Sequence, residues 1–416
     1  MSKSVVIIGG GVVGLCSAYY LQKEGCKVTV IDKSPMNAGA SYVNAGYLTP
    51  SHIIPMAAPG MITTGLRYMF NSSSPFYMKP RLDPNFIKWA WNFKKSATQK
   101  NVDLAIPVIK EVNVLSRELF TAIKNSGDLG SFHLERKGLL MLYQTDKERD
   151  HELIVSEKAK FLGLEVKELD KEGISRVEPN ININAKGAIH YECDGHSTPS
   201  EFMARMKAYL ENIGVHLIKN QEVTDVIMNH KKPCEVKTLT SSYYADEIVL
   251  AAGSWSGKLA KKLGLKLSIE AGKGYRINVQ KETNIKMPAI LMEAKMAVTP
   301  MKGFTRFAGT MEFSGINHKI RKERVNAIAK GAVVFYDGLS ISAEDKNNAQ
   351  CGLRPVTPDG LPYIGKSKKH KNLTIATGHA MMGWSLGPVT GKLISELICD
   401  KDLVMDITPF DPERRF

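Results

Sequence analysis

The chain has 416 residues, 43% of them hydrophobic, more than one ordinary core accommodates, and this points to two domains. A formal net charge of +14 suits anionic small molecules or an acidic lipid surface, and with no nucleic-acid-binding motif beside it nucleic acid is excluded as a partner. Six cysteines without a CxxC pair imply free thiols in a reducing, cytoplasmic setting, and no apolar run approaches the ~18 residues that span a bilayer.

Residues 4–14 read SVVIIGGGVVG. The run Val5–Ile8 predicts a strand buried on both faces, and its directness argues against a signal peptide. Gly9, Gly11 and Gly14 then form G-x-G-x-x-G, and Val12 and Val13 open a helix that ends at Gly25. Gly9 permits the tight turn, Gly11 lets a pyrophosphate approach the backbone, and Gly14 lets the helix pack closely on the sheet. The helix N-terminus offers N–H groups to phosphate. A second strand, KVTVID, closes on Asp32 and Lys33, and Asp32 can accept from a ribose 2′-hydroxyl. Strand, glycines, helix, strand and acid in this order predict dinucleotide binding.

Residues 37–55, NAGASYVNAGYLTPSHIIP, make a small, polar loop too long for an ordinary connection, as binding loops are. Ser41, Asn44, Ala45, Gly46 and Leu48 could follow an extended cofactor, which suits FAD. Residues 60–125 predict mostly helix: GMITTGLRYMF, PNFIKWAWNFKK and a helix from Val108 stopped by Gly127. The stretch 79–95 sets Trp89, Trp91 and Phe93 among Lys79, Arg81, Lys88, Lys94 and Lys95. That mixture fits either an anionic membrane surface or a half-buried helix with a solvated basic face.

KGLLMLYQT predicts a strand, and RDHELIVSEKAKFLG a helix. Thr198, Pro199 and Glu201 predict an N-cap, a first helical position and a capping box. ADEIVLAAGSW is a buried strand opening into a glycine turn, so a βαβ unit is expected over 190–255. Val223, Ala252, Gly253 and Trp255 are further candidate cofactor contacts. GYRINVQ, KMAVTP and TRFAGTME mark a β-rich insertion. Near the C-terminus, Pro388 suits the first turn of a helix, and Gly383, Trp384, Ser385 and Leu386 would offer N–H groups just ahead of it. The predicted division is discontinuous: residues 1–90, 190–262 and 345–416 as the FAD-binding domain, and 91–189 and 263–344 as the substrate domain.

His190, Cys193 and His196 are evenly spaced but match no zinc signature, so no metal is expected. In GLRPVTPDG, residues 352–360, Arg354 is held by prolines and turns, and must point at something.

Taken together, VVIIGGGVVGLCSAYYL, VTVIDK, NAGYLTP, AAPG, KGY, GLRPVTPDGLPYIG and TGH…GW resemble, in order, the bacterial D-amino acid dehydrogenases of the D-amino acid oxidase and glycine oxidase superfamily. The resemblance runs through nearly the whole chain. It implies an α/β fold: a Rossmann-like FAD domain with a parallel sheet, and an α+β substrate domain built on an antiparallel sheet. It assigns Arg354 to the substrate carboxylate, which a guanidinium grips with two parallel hydrogen bonds. Glycine oxidase-like members have a second arginine in GHFRNG. Here the stretch is GHAMMG, with Met381 and Met382, which argues against glycine and for a more apolar pocket.

The chemistry implied is hydride transfer from the substrate Cα to flavin N5, with the amine neutral and the cofactor carrying the hard step. His379, His52, Tyr275 and Arg306 are the candidate polar groups near the substrate, the histidines as structural hydrogen-bonders before general bases. Cys351 lies near where some relatives attach FAD, but its spacing differs, so FAD is expected to be non-covalent. The resemblance favours a quinone or other carrier as electron acceptor, and a D-amino acid, proline- and hydroxyproline-like imino acids among the candidates, as substrate. An oxygen-using oxidase of the same superfamily is the alternative, and a non-catalytic flavin- or nucleotide-binding protein a third reading.

Overall fold

The short apolar runs near the N-terminus build one sheet. In the computed structural model, which describes residues 2–60, 74–229 and 234–416, the strand Ser4–Ile8 lies between Lys27–Ile31 and Glu247–Leu250, all parallel. His216–Ile218 and Leu373–Thr377 extend the sheet in parallel, and Tyr363–Lys366 closes it antiparallel. Val5 and Ile7 face one apolar cluster and Val6 and Ile8 another. The strand is therefore covered on both faces, and each such side chain contributes about 1.5–3 kcal/mol.

On the first face the helix Val12–Lys23 packs against Gly387–Ile398. A β-carbon at Gly391 would lie 2.5 Å from the backbone of Cys16. Glycine there lets the two helices touch backbone to backbone. The second face is covered by the helix Ser256–Lys262 and by the hairpins of Val223–Ile227, Cys234–Thr238 and Ser242–Ala245.

A larger sheet runs Gln350–Val356, Glu270–Val279, Phe304–Phe313, Met296–Met301, Ala289–Leu291, Leu139–Tyr143, Gly187–Tyr191, Val166–Leu169, with Phe76–Met78 beside Phe304–Phe313. It is antiparallel except at two pairs. The β-rich stretch read from sequence supplies its middle, along with a helix, Lys322–Phe335, that was not anticipated. Two strands join this sheet from outside that stretch. Gly187–Tyr191 pairs with Leu139–Tyr143 and Val166–Leu169 in this sheet, so the βαβ unit begins only with the helix Pro199–Asn212. Gln350–Val356, which carries Arg354, pairs with Glu270–Val279, also in this sheet.

The helix at Gln99–Ser126 starts ahead of Pro107 and ends at Gly127, whose φ is 75°. The helix read over GMITTGLRYMF lies almost wholly outside the described residues. Pro84–Ser96 is helical, capped by Asp83. Its aromatics divide: Trp89 and Phe93 pack on Phe313 and Val356 behind the Arg354 strand, whereas Trp91 faces outward. The indole N–H of Trp89 donates to the Val356 carbonyl at 2.9 Å. Thr198 occupies the N-cap of its helix, yet its hydroxyl does not cap. That oxygen takes the Lys302 N–H instead, and Glu201 takes the His133 N–H. No helix among the described residues is long and apolar enough to cross a membrane.

Candidate active site

The glycine turn after the first strand is as tight as its sequence requires. Gly9 has φ 119°, and a β-carbon there would fall 2.7 Å from the carbonyl carbon of Ala251. One at Gly14 would collide with the Gly9 carbonyl oxygen. Strand and helix thus approach to a distance that only glycine allows. Asp32 accepts from Gly10 N at 2.7 Å and, through its other oxygen, from Ser34 N at 2.8 Å. Ser41 Oγ accepts from Val12 N at 2.9 Å, tying the long loop to the helix start.

A continuous cavity of about 570 Å³ runs from this turn to the large sheet. Of the anticipated cofactor contacts, Gly9, Gly11, Val12, Val13, Asp32, Lys33, Ser41, Asn44, Val223, Ala252, Gly253, Trp255, Gly383 and Trp384 line it. At one end the Lys33 ammonium stands 3.5 Å from the centre of the Trp255 ring. At the other end are Arg354, His379 and Met381. A space that joins the glycine turn to a guanidinium fits an extended dinucleotide.

Six anticipated contacts lie behind the wall. Gly14 serves the helix–strand contact. Ala45 accepts from Thr299 Oγ1 at 2.7 Å, Gly46 presses on the Ser197 carbonyl, and Leu48 pairs with Gly195. Ser385 bonds Asn113 and Ser116 at 2.8 and 2.6 Å. The loop passes through a 3-10 turn at Ala380–Met382 and closes with Leu386 N donating to Met382 O four residues back, so Leu386, fully buried, has its N–H spent.

Arg354 is partly buried, its remaining surface turned to the cavity. Nη1 donates to the Thr310 carbonyl at 3.0 Å. Thr310 sits in a bulge at φ 72°, where the register between the Phe304–Phe313 and Glu270–Val279 strands shifts. The strained residue aims its carbonyl at the guanidinium. Burial pulls Arg354 down to about 10, and no protein carboxylate offsets this among the described residues. Gly274 faces it across the paired strands and borders the same cavity.

The other polar candidates are placed differently. Tyr275 borders the cavity, but its hydroxyl donates to Glu312 at 2.7 Å. It alternates with Gly274 along the strand, so that hydroxyl lies on the sheet face opposite Arg354. There Glu312 also meets Lys273 at 3.1 Å and Arg324 at 2.9 Å, all fully buried. Burial opposes ionisation of Glu312, but hydrogen bonds from Ser314 and Tyr275, with Lys273, hold it below the usual carboxylate range. Arg306 is buried and donates to the carbonyls of Tyr42 and Asn44 at 2.9 and 2.6 Å, which positions the loop that carries Ser41 and Asn44. His379 lines the cavity, bonds Thr390 Oγ1 at 2.9 Å, and is pulled by burial down to about 3. His52 lies outside the lining, beside Ser51 Oγ at 3.3 Å, and burial pulls it down to about 4. Both imidazoles are neutral at working pH.

Sequence reasoning passed over Gly10, Met36, Lys258, Gly274 and Gly352, all in the lining. A β-carbon at Gly352 would fall 2.9 Å from Cα of Ala40. The signal was present: isolated glycines inside strand patterns mark close approach.

Residues 4–397 match the DAO family, described as FAD dependent oxidoreductase. The chain is 30% identical over 403 residues to a D-amino acid dehydrogenase of Helicobacter pylori, covering 96% of each chain. It is 30% identical over 409 residues to one of Vibrio atlanticus, covering 95% of each. The fold is similar to that of glycine oxidase from Geobacillus kaustophilus, with TM-score 0.79, 22% identity and full coverage of both chains. It is also similar to L-proline dehydrogenase from P. horikoshii, with TM-score 0.72, 20% identity, and coverage of 99% and 97%. With its glycine turn, its cavity and a match along nearly its whole length, the chain belongs to the DAO family of FAD-dependent oxidoreductases.

Proposed function

We propose that this chain oxidatively deaminates a D-amino acid with an apolar or imino side chain, proline-like among them, and passes the electrons to a quinone or other carrier. The observation that carries this reading is the charge of Arg354, uncompensated by protein and desolvated at the cavity wall. A buried guanidinium without a carboxylate is costly unless a ligand supplies one. The names of the curated relatives at 30% identity support the amino acid class.

The backbone of Gly9–Gly11, the start of the helix Val12–Lys23, Asp32 and Ser41 would hold FAD. Once bound, FAD supplies the hydride acceptor. Arg354 orients the substrate carboxylate, Gly274 leaves room for the guanidinium, and Thr310 fixes its direction. Met381 stands where a second cation would have gripped a smaller acid, and favours an apolar side chain. His379, neutral and bonded to Thr390, holds the loop and does not take the proton. The substrate must therefore arrive with its amine deprotonated. The six-stranded sheet and its helices would form the FAD domain and the large sheet the substrate domain.

Cys351 alternates with Arg354's neighbour Gly352 and bonds the His318 carbonyl at 3.5 Å, which supports non-covalent FAD. A cytoplasmic enzyme that touches an anionic membrane to reach a quinone is supported by exposed Ile87, Lys88, Trp91, Lys94 and Lys95 on one helix.

The test is anaerobic mixing of the FAD-loaded protein with D- and L-amino acids. Bleaching of the flavin absorbance by apolar D-amino acids is expected, with dye reduction exceeding peroxide formation in air. Full FAD occupancy with no bleaching by any amino acid would end this reading.

A further inference from the structure

We propose that His133, Glu135 and His196 form a binding site for zinc or a similar borderline divalent cation, outside the cofactor cavity. Glu135 and His196 are direct cross-strand partners, and His133 lies two residues before Glu135. His133 Nε2 is 3.7 Å from Glu135 Oε1, and His196 Nε2 is 3.8 Å from Oε2. Candidate ligand atoms from all three lie within 4.8 Å of one another. A tetrahedral zinc shell, with bonds of about 2.0–2.1 Å, spaces its ligand atoms about 3.3 Å apart. With one ligand atom from each residue, no pair needs to close by more than about 1.5 Å.

Two further observations point to a ligand. His196 is fully buried, yet neither ring nitrogen makes a hydrogen bond of normal geometry among the described residues. Buried polar atoms are seldom left so. The Pro300 carbonyl is close enough to affect the ring, but not aligned to bond it. Secondly, the hydroxyl of Thr198, diverted from its helix cap, lies 2.8 Å from His133 Nδ1. With Nδ1 held, Nε2 is left pointing at the carboxylate, which is how an outer partner orients a metal-binding imidazole.

The competing arrangement is an ion pair. Lys137 Nζ reaches Glu135 Oε2 at 2.7 Å, but Lys137 is half exposed and does nothing for His196. Its flexible stem can swing to water when a cation enters. Three protein ligands leave a fourth position for water, reached past the partly exposed His133 and Glu135. The site would act as a rivet. The strand holding His196 also pairs with Tyr47, and Ser197 accepts the Trp384 indole N–H at Oγ, 3.1 Å, while its backbone N–H donates to the Gly46 carbonyl at 2.8 Å. A bound cation would thus stiffen the strand that ties the cofactor loop and Trp384 together. The trio His190, Cys193 and His196 does not converge, since His190 Nε2 is engaged by the Lys137 carbonyl at 3.0 Å.

The experiment uses untagged, FAD-loaded protein, stripped with a chelator and titrated with ZnCl2 or CoCl2 alone. One zinc per chain is expected, with visible cobalt bands of tetrahedral intensity and a higher melting temperature with zinc. His133→Asn and Glu135→Gln, both at partly exposed positions, should lower zinc affinity at least ~10-fold with FAD content and circular dichroism unchanged. His196→Ala could disturb the core, so those two variants carry the test. Zinc bound no more tightly by wild type than by both variants, or cobalt spectra that do not differ between them, would overturn the site.

Discussion

Gly274 and Arg354 share one face of two paired strands, and a β-carbon at 274 would lie 2.5 Å from the guanidinium carbon. The absence of a side chain at one residue creates the position of the other. Gly274→Ala should therefore displace the guanidinium without unfolding the sheet. A misplacement of about 1 Å can cost about 100-fold in kcat/KM. Steady-state kinetics at full FAD occupancy measure this, and kinetics equal to wild type would refute the coupling.

Arg354 itself should separate binding from stability. Replacing it with Lys keeps a charge but loses the paired hydrogen bonds. At about 1.5–3 kcal/mol for a charged hydrogen bond, KM should rise roughly 10- to 100-fold. Arg354→Met should abolish turnover but leave the melting temperature equal or higher, because it removes a desolvated charge with no carboxylate beside it among the described residues. A Met variant that melts well below wild type would show that the arginine is structural.

The network behind the sheet makes the opposite forecast. Glu312→Gln leaves Lys273 and Arg324 buried without their counter-charge. A loss of about 3–5 kcal/mol is expected in denaturant unfolding. Tyr275→Phe removes one hydrogen bond to Glu312, at about 1 kcal/mol, and should keep kcat within about twofold. A collapse of kcat in that variant would return Tyr275 to the catalytic group.

The buried histidines give stability a pH signature. His379 is held down to about 3 and His52 to about 4 in the fold, against about 6.5 unfolded. On acidification the unfolded chain takes up the proton first. Their contribution is complete above about pH 6.5 and is lost as pH falls below it. His379→Gln should lose less stability than wild type between about pH 7 and 5, read by melting temperature. Parallel curves for the two proteins would contradict this. Kinetically, neither histidine should contribute an ionisation near neutrality, so the rate should follow the substrate amine.

Much of the cofactor end was legible because its chemistry is local in sequence. Gly9 to Gly14 and Asp32 occupy one strand–turn–helix–strand unit, and their spacing alone places them. The end at Arg354 was harder, because strand pairing decides it. Nothing in GYRINVQ says that Tyr275 turns away from Arg354; that follows from its register against Cys351. Ser385 and Leu386 read as donors at a helix start, but the Met382 carbonyl, four residues back, takes the Leu386 N–H before the helix begins. Trp89 and Phe93 read equally as membrane-facing or half-buried until Phe313 and Val356, more than two hundred residues away in sequence, cover them.

On the proposed reading, the Arg354 guanidinium at the cavity wall also sets how a catalytic cycle must finish. A keto acid bears the same anionic group as the amino acid from which it came, so the guanidinium cannot distinguish what has reacted from what has not. Escape of product then depends on whatever the amine alone had contributed, and amine-free monocarboxylates of similar size should occupy the site as competitive inhibitors.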